Sequence, residues 1–321
     1  MRRTLALFVF IAALAAPLLA QTPRAPRKPE DFYDRAVERQ KEGDQSGALA
    51  DIEQALRLQP KFAAAYTLRG KIKMDAGDQS GALADFNRAV ELSANEPLAY
   101  YNRGLIKLEQ KDYDGAIADF DKTLALQPGL AAVLNNRADA RRAKGDLDGA
   151  LEDYTRAIES KADLAEAFYG RGVVYIAKNE AAKAIADFDR SIELNPRVTE
   201  AYFNRAIARS SAGDAARALA DYGKVIELDP QNAEAYHNRG NVRLTAGDAQ
   251  GALSDFSRAI ELDPQSAGAY ADRGLARLWL RLDDDAQKDF QRALELNKEL
   301  KDWLDQSVRY IKYQRAKKKE K

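Results

Sequence analysis

His237 is the only histidine in the chain and there is no cysteine. Imidazole catalysis would therefore rest on one residue, and a thiolate nucleophile, a disulfide framework and a Cys- or His-rich metal site are excluded. A Ser-His-Asp arrangement would depend on the same His237, whose simpler role is to line a surface. Asp and Glu number 50, against 50 Lys and Arg, so carboxylate pairs suited to glycoside cleavage are plentiful, but spacing singles out none of them. The glycines fall at turns and form no phosphate-cradling loop. This inventory suits a protein that binds without catalysing, with no metal and no cofactor. The balanced charge also removes the broad positive field of a sequence-blind nucleic-acid binder, so no nucleic acid is expected.

The strongest chemical signal is the return of single residue types at a constant step of 34 residues, without insertion or deletion. Units begin at Pro29, Ala63, Pro97, Ala131, Ala165, Thr199, Ala233 and Ala267, which gives repeats 29–62, 63–96, 97–130, 131–164, 165–198, 199–232, 233–266 and 267–300. Within each, positions are numbered 1 to 34 and repeats 1 to 8. Position 7 is always Arg: Arg35, Arg69, Arg103, Arg137, Arg171, Arg205, Arg239 and Arg273. Position 23 is always Asp: Asp51, Asp85, Asp119, Asp153, Asp187, Asp221, Asp255 and Asp289. One reading is an arginine ladder for an anionic glycan or phosphate. The favoured reading is a structural ladder of ion pairs, within a repeat or between neighbours, because a half-buried charge needs a partner. A third arrangement pairs each Asp with the basic residue at position 26, such as Arg88 or Arg258, about one helical turn later.

Apolar residues make up 45% of the chain with only 10 Pro, and the abundant Ala suits close helix packing and an all-α class. Positions 1 to 14 have helical periodicity and end at a Gly-Asp pair such as Gly77–Asp78 or Gly247–Asp248. Gly there supplies a left-handed cap and Asp starts the next helix. That helix runs to the proline at position 32, present as Pro60, Pro128, Pro196, Pro230 and Pro264. Position 4 is aromatic in every repeat except for Leu134, position 8 is Gly or Ala, position 20 is Ala from Ala48 to Ala286, and position 24 is Phe, Tyr or Ile. The small residues allow close approach, and the aromatic at position 24 is expected to fill space between neighbours.

This size pattern resembles the tetratricopeptide repeat (TPR) family. The resemblance implies a right-handed α-solenoid of eight helix-turn-helix repeats, with first helices lining a concave groove. Residues 301–321 then form a capping helix and basic tail, with Trp303, Leu304, Val308 and Ile311 on one stripe and Lys317 to Lys319 solvated. Trp279 packs under that helix, and Leu278, Leu280 and Leu282 are too apolar to stay exposed. Uniform Arg at position 7, usually apolar in the family, is a departure.

On the first helix, positions 2, 6, 9 and 13 share a face, flanked by 5 and 12. Position 6 supplies Asn102, Asn136, Asn204 and Asn238, interrupted by Gly170, and position 5 supplies Tyr101, Asn135, Tyr169, Phe203 and His237. An amide donates to and accepts from one peptide unit, so such a column can grip an extended main chain, while the aromatics add apolar contact. This resembles the asparagine ladders of peptide-binding family members. Asn is also a common surface residue, and that reading stays open. Position 2 carries Glu166, Glu200 and Glu234 and no basic residue, which departs from the carboxylate clamp of other members and favours neutral or basic protein or peptide segments.

At the N-terminus, Arg2 and Arg3 precede an apolar run from Leu5 to Leu19 and then Ala20, the order of a secretory signal peptide over residues 1–20. Residues 21–28, rich in Pro and basic residues, form a linker. Cleavage after Ala20 or after Ala15 would leave a periplasmic or secreted protein with no membrane span. An uncleaved anchor would leave the repeats on the same side. Two functions fit: a non-enzymatic scaffold binding an extended peptide or partner protein outside the cytoplasm, and an accessory protein for cell-envelope polysaccharide synthesis or export.

Overall fold

The computed structural model describes residues 27–317, and every regular element among them is helical. The signal segment expected over residues 1–20, most of the linker, and residues 318–321 with most of the basic run lie outside the described residues. Two compact units are distinguished, one ending at Ala94 and the other beginning at Asn95.

The first unit holds two helix pairs, α1 (Pro29–Lys41) with α2 (Gln45–Leu58) and α3 (Ala63–Asp75) with α4 (Gln79–Leu92). Its core joins Ala36 and Ile52 of repeat 1 to Ala65, Leu68 and Ile72 of repeat 2, so neither pair buries its apolar face alone. The second unit continues with α5 (Pro97–Glu109), α6 (Tyr113–Leu126), α7 (Ala131–Lys144), α8 (Leu147–Ser160), α9 (Ala165–Ala177) and α10 (Ala181–Leu194). It is completed by α11 (Thr199–Ser211), α12 (Ala215–Leu228), α13 (Ala233–Thr245), α14 (Ala249–Leu262), α15 (Ala267–Trp279), α16 (Asp283–Leu296) and the terminal α17 (Lys301–Lys317). Within each unit, α1 to α4 and α5 to α16, each helix packs on the one before it, as in a TPR solenoid, and α17 packs on α15.

The turn inside six of the eight pairs has one local chemistry. Asp44, Asp78, Asp112, Asp146 and Asp248 each accept a hydrogen bond from the backbone N–H of the glycine three residues on, and Asp214 accepts from that of Arg217. This satisfies an N–H that the helix start leaves free. The residue before the cap is left-handed: glycine in five of the eight repeats, but Lys111 (φ 62°), Asn179 (φ 60°) and Arg281 (φ 64°) in the others.

Positions 8 and 24 set the spacing within each pair. A Cβ placed on Gly104 would lie 2.7 Å from the ring of Phe120, and one on Gly172 2.7 Å from Phe188. The aromatic at position 24 therefore lies against its own repeat, not only between neighbours as the pattern suggested, and glycine at position 8 admits it. Repeats 4 and 6 instead combine Ala138 with Tyr154 and Ala206 with Tyr222.

At the C-terminus, Leu304 and Ile311 are buried, with Val308, Trp279 and Leu278 packed in the same cluster. Trp303 remains 45% exposed and Leu282 44%. The expectation that Leu282 would be covered is corrected. It stands where six repeats have the Asp cap, at the start of α16, and α16 has no side-chain cap.

Candidate functional site

The conserved charges of each repeat meet in one cluster. The Arg at position 7 makes two bonds to the Asp at position 23 of its own pair, for example Arg103 at 2.9 and 2.6 Å from Asp119 and Arg239 at 2.9 and 2.7 Å from Asp255. Every one of these carboxylates is buried. The hydrogen bond to Asp raises the pKa of Arg69, Arg103 and Arg171 above the ordinary guanidinium value. In every repeat except the fourth, the same guanidinium lies 5.2–5.7 Å from the centre of the position 4 ring, which stabilises it further. Repeat 4 has Leu134 there, and Arg137 is its most buried counterpart, bonded to both Asp153 and Asp121. These arginines are committed to carboxylates and rings, which disfavours an anionic ligand at position 7.

A second cation completes the cluster and was missed in the sequence. Position 11 bonds the same Asp through Arg39, Lys73, Lys107, Arg141, Arg209, Arg243 and Arg277. It is basic in every repeat but the fifth, which has Tyr175, so the signal was available at the same period. The arrangement with position 26 does not form: Arg88 and Arg258 pair with Glu91 and Glu261, on the exposed side of their own helices.

The Asn column is only partly free. Asn136 donates to the Tyr101 hydroxyl at 3.1 Å, Asn204 donates to the Tyr169 hydroxyl at 3.1 Å, and His237 meets Asp272 at 2.7 Å. Position 5 of one repeat is thus tied to position 6 of the next. These contacts brace neighbouring first helices and use one N–H of each amide, while the Asn136 oxygen accepts from Asn135 and the Asn204 oxygen is left for a ligand. Asn102 is buried. Asn135 donates to Asp139, and its Oδ1 is buried without a partner. Gly170 breaks the column because a Cβ there would lie 2.4 Å from the Tyr154 ring. Glu166 is exposed.

Five of the expected residues, Tyr169, Glu200, Phe203, Asn204 and Glu234, come together around one cavity of about 330 Å³, joined by Thr199, Asp229 and Asn232. The last two belong to the turn between α12 and α13, where Asn232 caps α13 by accepting from the Ala235 N–H and Asp229 accepts from that of Gln231. Turn residues carry no periodic signal, so the first-helix pattern did not find them. Three carboxylates and no cation line this cavity. Burial, reinforced by the charge on Glu200, holds the Tyr169 phenol above its ordinary pKa, so it stays neutral and hydrogen-bonding. Such a surface can hold a cation or an N–H-rich segment.

Family models described as TPR repeat match residues 70–111, 138–179 and 208–247, and models described as tetratricopeptide repeat match 97–130, 165–198 and 233–266. No curated protein matches the chain. Among similar solved structures, MamA is 25% identical with a TM-score of 0.50, over 54% of this chain and 95% of that one. YrrB, described as a TPR protein with an unusual peptide-binding site, is 24% identical with a TM-score of 0.51, over 57% and 95%. A tetratricopeptide repeat protein from Parabacteroides merdae is 22% identical with a TM-score of 0.54, over 77% and 98%. The last two speak to the fold alone. With these models matching more than half of its length and eight helix pairs in succession, the chain belongs to the tetratricopeptide repeat family.

Proposed function

We propose that the chain is a non-catalytic interaction scaffold that holds an extended, neutral or basic segment of a partner protein against its first helices. One observation carries this reading: the cavity at repeats 5 to 7 sets Glu200, Asp229 and Glu234 beside Asn204 and two aromatic rings with no basic residue. A lysine or arginine side chain would meet its opposite charge there, the rings would flank its stem, and the Asn204 oxygen would accept from a passing backbone N–H. Placing the repeats outside the cytoplasm is part of the same proposal, supported by the Arg-apolar-small order from Arg2 to Ala20. None of the described helices is long and apolar enough to cross a membrane.

A photo-crosslinking residue at position 199 or 232, compared with one at the exposed Glu227 on α12, tests the site. Crosslinks from the two cavity positions to neutral or basic segments are expected. Equal capture from position 227, or capture of acidic segments, would overturn the site. N-terminal sequencing of the exported protein tests the location, and a cytoplasmic chain that keeps Leu5 to Leu19 would contradict it.

A further inference from the structure

At the junction of repeats 6 and 7 the bracing between neighbours stops. Phe203 stands where Tyr101, Tyr169 and His237 make their contacts in repeats 3, 5 and 7, and with no polar atom in its side chain it leaves the Asn238 amide without a partner among the described residues. Gly223 stands where Asp121, Thr155 and Asp189 each receive the arginine of the next repeat. Arg239 accordingly bonds only Asp255 of its own pair.

A cavity of about 500 Å³ opens at this junction. Its polar lining is Ser210, Ser211, Tyr222, Asn238, Asn241 and Thr245, with Ile207 and Val242 as apolar walls. No lining residue is charged, in a chain that is 31% charged. Tyr222 is 2% exposed and lines the cavity, and no hydrogen bond to its hydroxyl is made among the described residues. Tyr154, at the same position in repeat 4, donates to Asp139 at 2.6 Å and accepts from Arg142 at 3.4 Å. Repeat 6 has Ile207 and Ser210 at those two places. Tyr222 is the buried member of the polar lining, Asn238 and Asn241 are half-buried, and Ser210, Ser211 and Thr245 are exposed, so the cavity offers donors and acceptors to a ligand from outside.

We propose that this cavity receives an uncharged carboxamide side chain, glutamine or asparagine, from the bound segment. The identity of the ligand as a peptide rests on the function proposed above. A carboxamide carries two N–H donors and one acceptor on a flat group, which matches two amides and four hydroxyls that each donate and accept. A carboxylate or an ammonium would find no opposite charge in the lining, and an aliphatic side chain would leave the polar atoms unmet. Ile207 and Val242 flank the methylene stem. Asn204 edges the acidic cavity and Asn238 this one, one repeat apart in the same column.

The test uses the full chain and three small probes, N-acetylglutamine methylamide, N-acetylglutamate methylamide and glucose, read by NMR on the side-chain amides of Asn238 and Asn241. Saturable shifts are expected with the glutamine probe and at least tenfold weaker binding of the glutamate probe. Tyr222→Phe should weaken the glutamine probe at least threefold while remaining folded, since phenylalanine occupies this position in repeats 3, 5 and 7. Phe203→Tyr, which ties up Asn238, should weaken it as well. Equal binding of glutamine and glutamate probes, saturation by glucose alone, or an unchanged Tyr222→Phe would overturn the proposal. These outcomes leave the acidic cavity untouched, so peptide capture at positions 199 and 232 could still stand. Failure of that capture with the glutamine probe still bound would remove the peptide reading and keep the carboxamide site.

Discussion

Repeats 4 and 6 share a departure from the repeats around them, tyrosine at position 24 with alanine at position 8, where repeats 3, 5 and 7 have phenylalanine with glycine. In repeat 4 the hydroxyl of Tyr154 is closed off by Asp139 and Arg142, and Gly170 of the next repeat makes room for it. In repeat 6 the hydroxyl of Tyr222 meets neither kind of partner, and Asn238 is retained where repeat 5 has Gly170. Burial raises the pKa of both phenols, Tyr222 to about 12, with Glu234 adding to the effect there. Both hydroxyls are therefore intact at neutral pH, and the difference lies in their surroundings. One junction closes off its tyrosine hydroxyl internally at the expense of the asparagine column, and buries Asn135 Oδ1 without a partner. The other keeps the column and leaves polar groups that an outside molecule can satisfy.

The largest expected effect lies in the buried charge cluster that both repeats share. Asp153→Ala takes the buried carboxylate from both Arg137, which keeps only the exposed Asp121, and Arg141, and should cost about 4 kcal/mol, and Asp187→Ala, which takes it from Arg171 alone, about 3 kcal/mol. Urea denaturation measures both, and losses near 1 kcal/mol would mean that the pairs behave as exposed ones. Next, Gly170→Asn restores the missing asparagine in repeat 5 but drives its Cβ into the Tyr154 ring, and should cost about 3 kcal/mol. Combining it with Tyr154→Phe should recover part of the loss, because the hydroxyl oxygen is also within 2.6 Å of the new Cβ; additive losses would show that the two residues do not compete for space.

The comparison is sharpest in the two tyrosines themselves. Tyr154→Phe should cost about 2 kcal/mol by leaving Asp139 and Arg142 short of a partner, while Tyr222→Phe should change stability by less than about 0.5 kcal/mol. Equal losses would remove the distinction. Phe203→Tyr gives Asn238 the partner that Asn136 and Asn204 already have and should stabilise the chain by about 1 kcal/mol in thermal unfolding. A destabilised variant would show that the new hydroxyl does not reach the amide.

Much of this architecture is legible in the sequence because each repeat meets the same packing problem. The step of 34 residues and the alternation of large and small positions place the helices before any contact is known. The columns of Arg and Asp are visible for the same reason. A helical wheel treats each helix alone, so it assigned position 6 to a ligand-facing groove and could not show Asn136 and Asn204 bonding across to Tyr101 and Tyr169, each 35 residues away. Asp272 was overlooked as the partner of His237 on the same ground. Gly170 read as a gap in a column, and only the neighbouring helix shows that Tyr154 fills it. Asp229 and Asn232 escaped notice because turns vary from repeat to repeat.

The account depends most on the acidic cavity being the place where a ligand is held and on its sign. Fluorescence anisotropy with two sets of labelled, terminally blocked hexapeptides, one bearing lysine and one bearing glutamate at otherwise identical positions, measures this directly. The wild-type chain should bind the lysine set at least tenfold more tightly, and Glu200→Lys with Glu234→Lys should reverse that order without unfolding the repeats, since both side chains are exposed. Equal binding of the two sets by the wild-type chain, or an order unmoved by the double charge reversal, would contradict it.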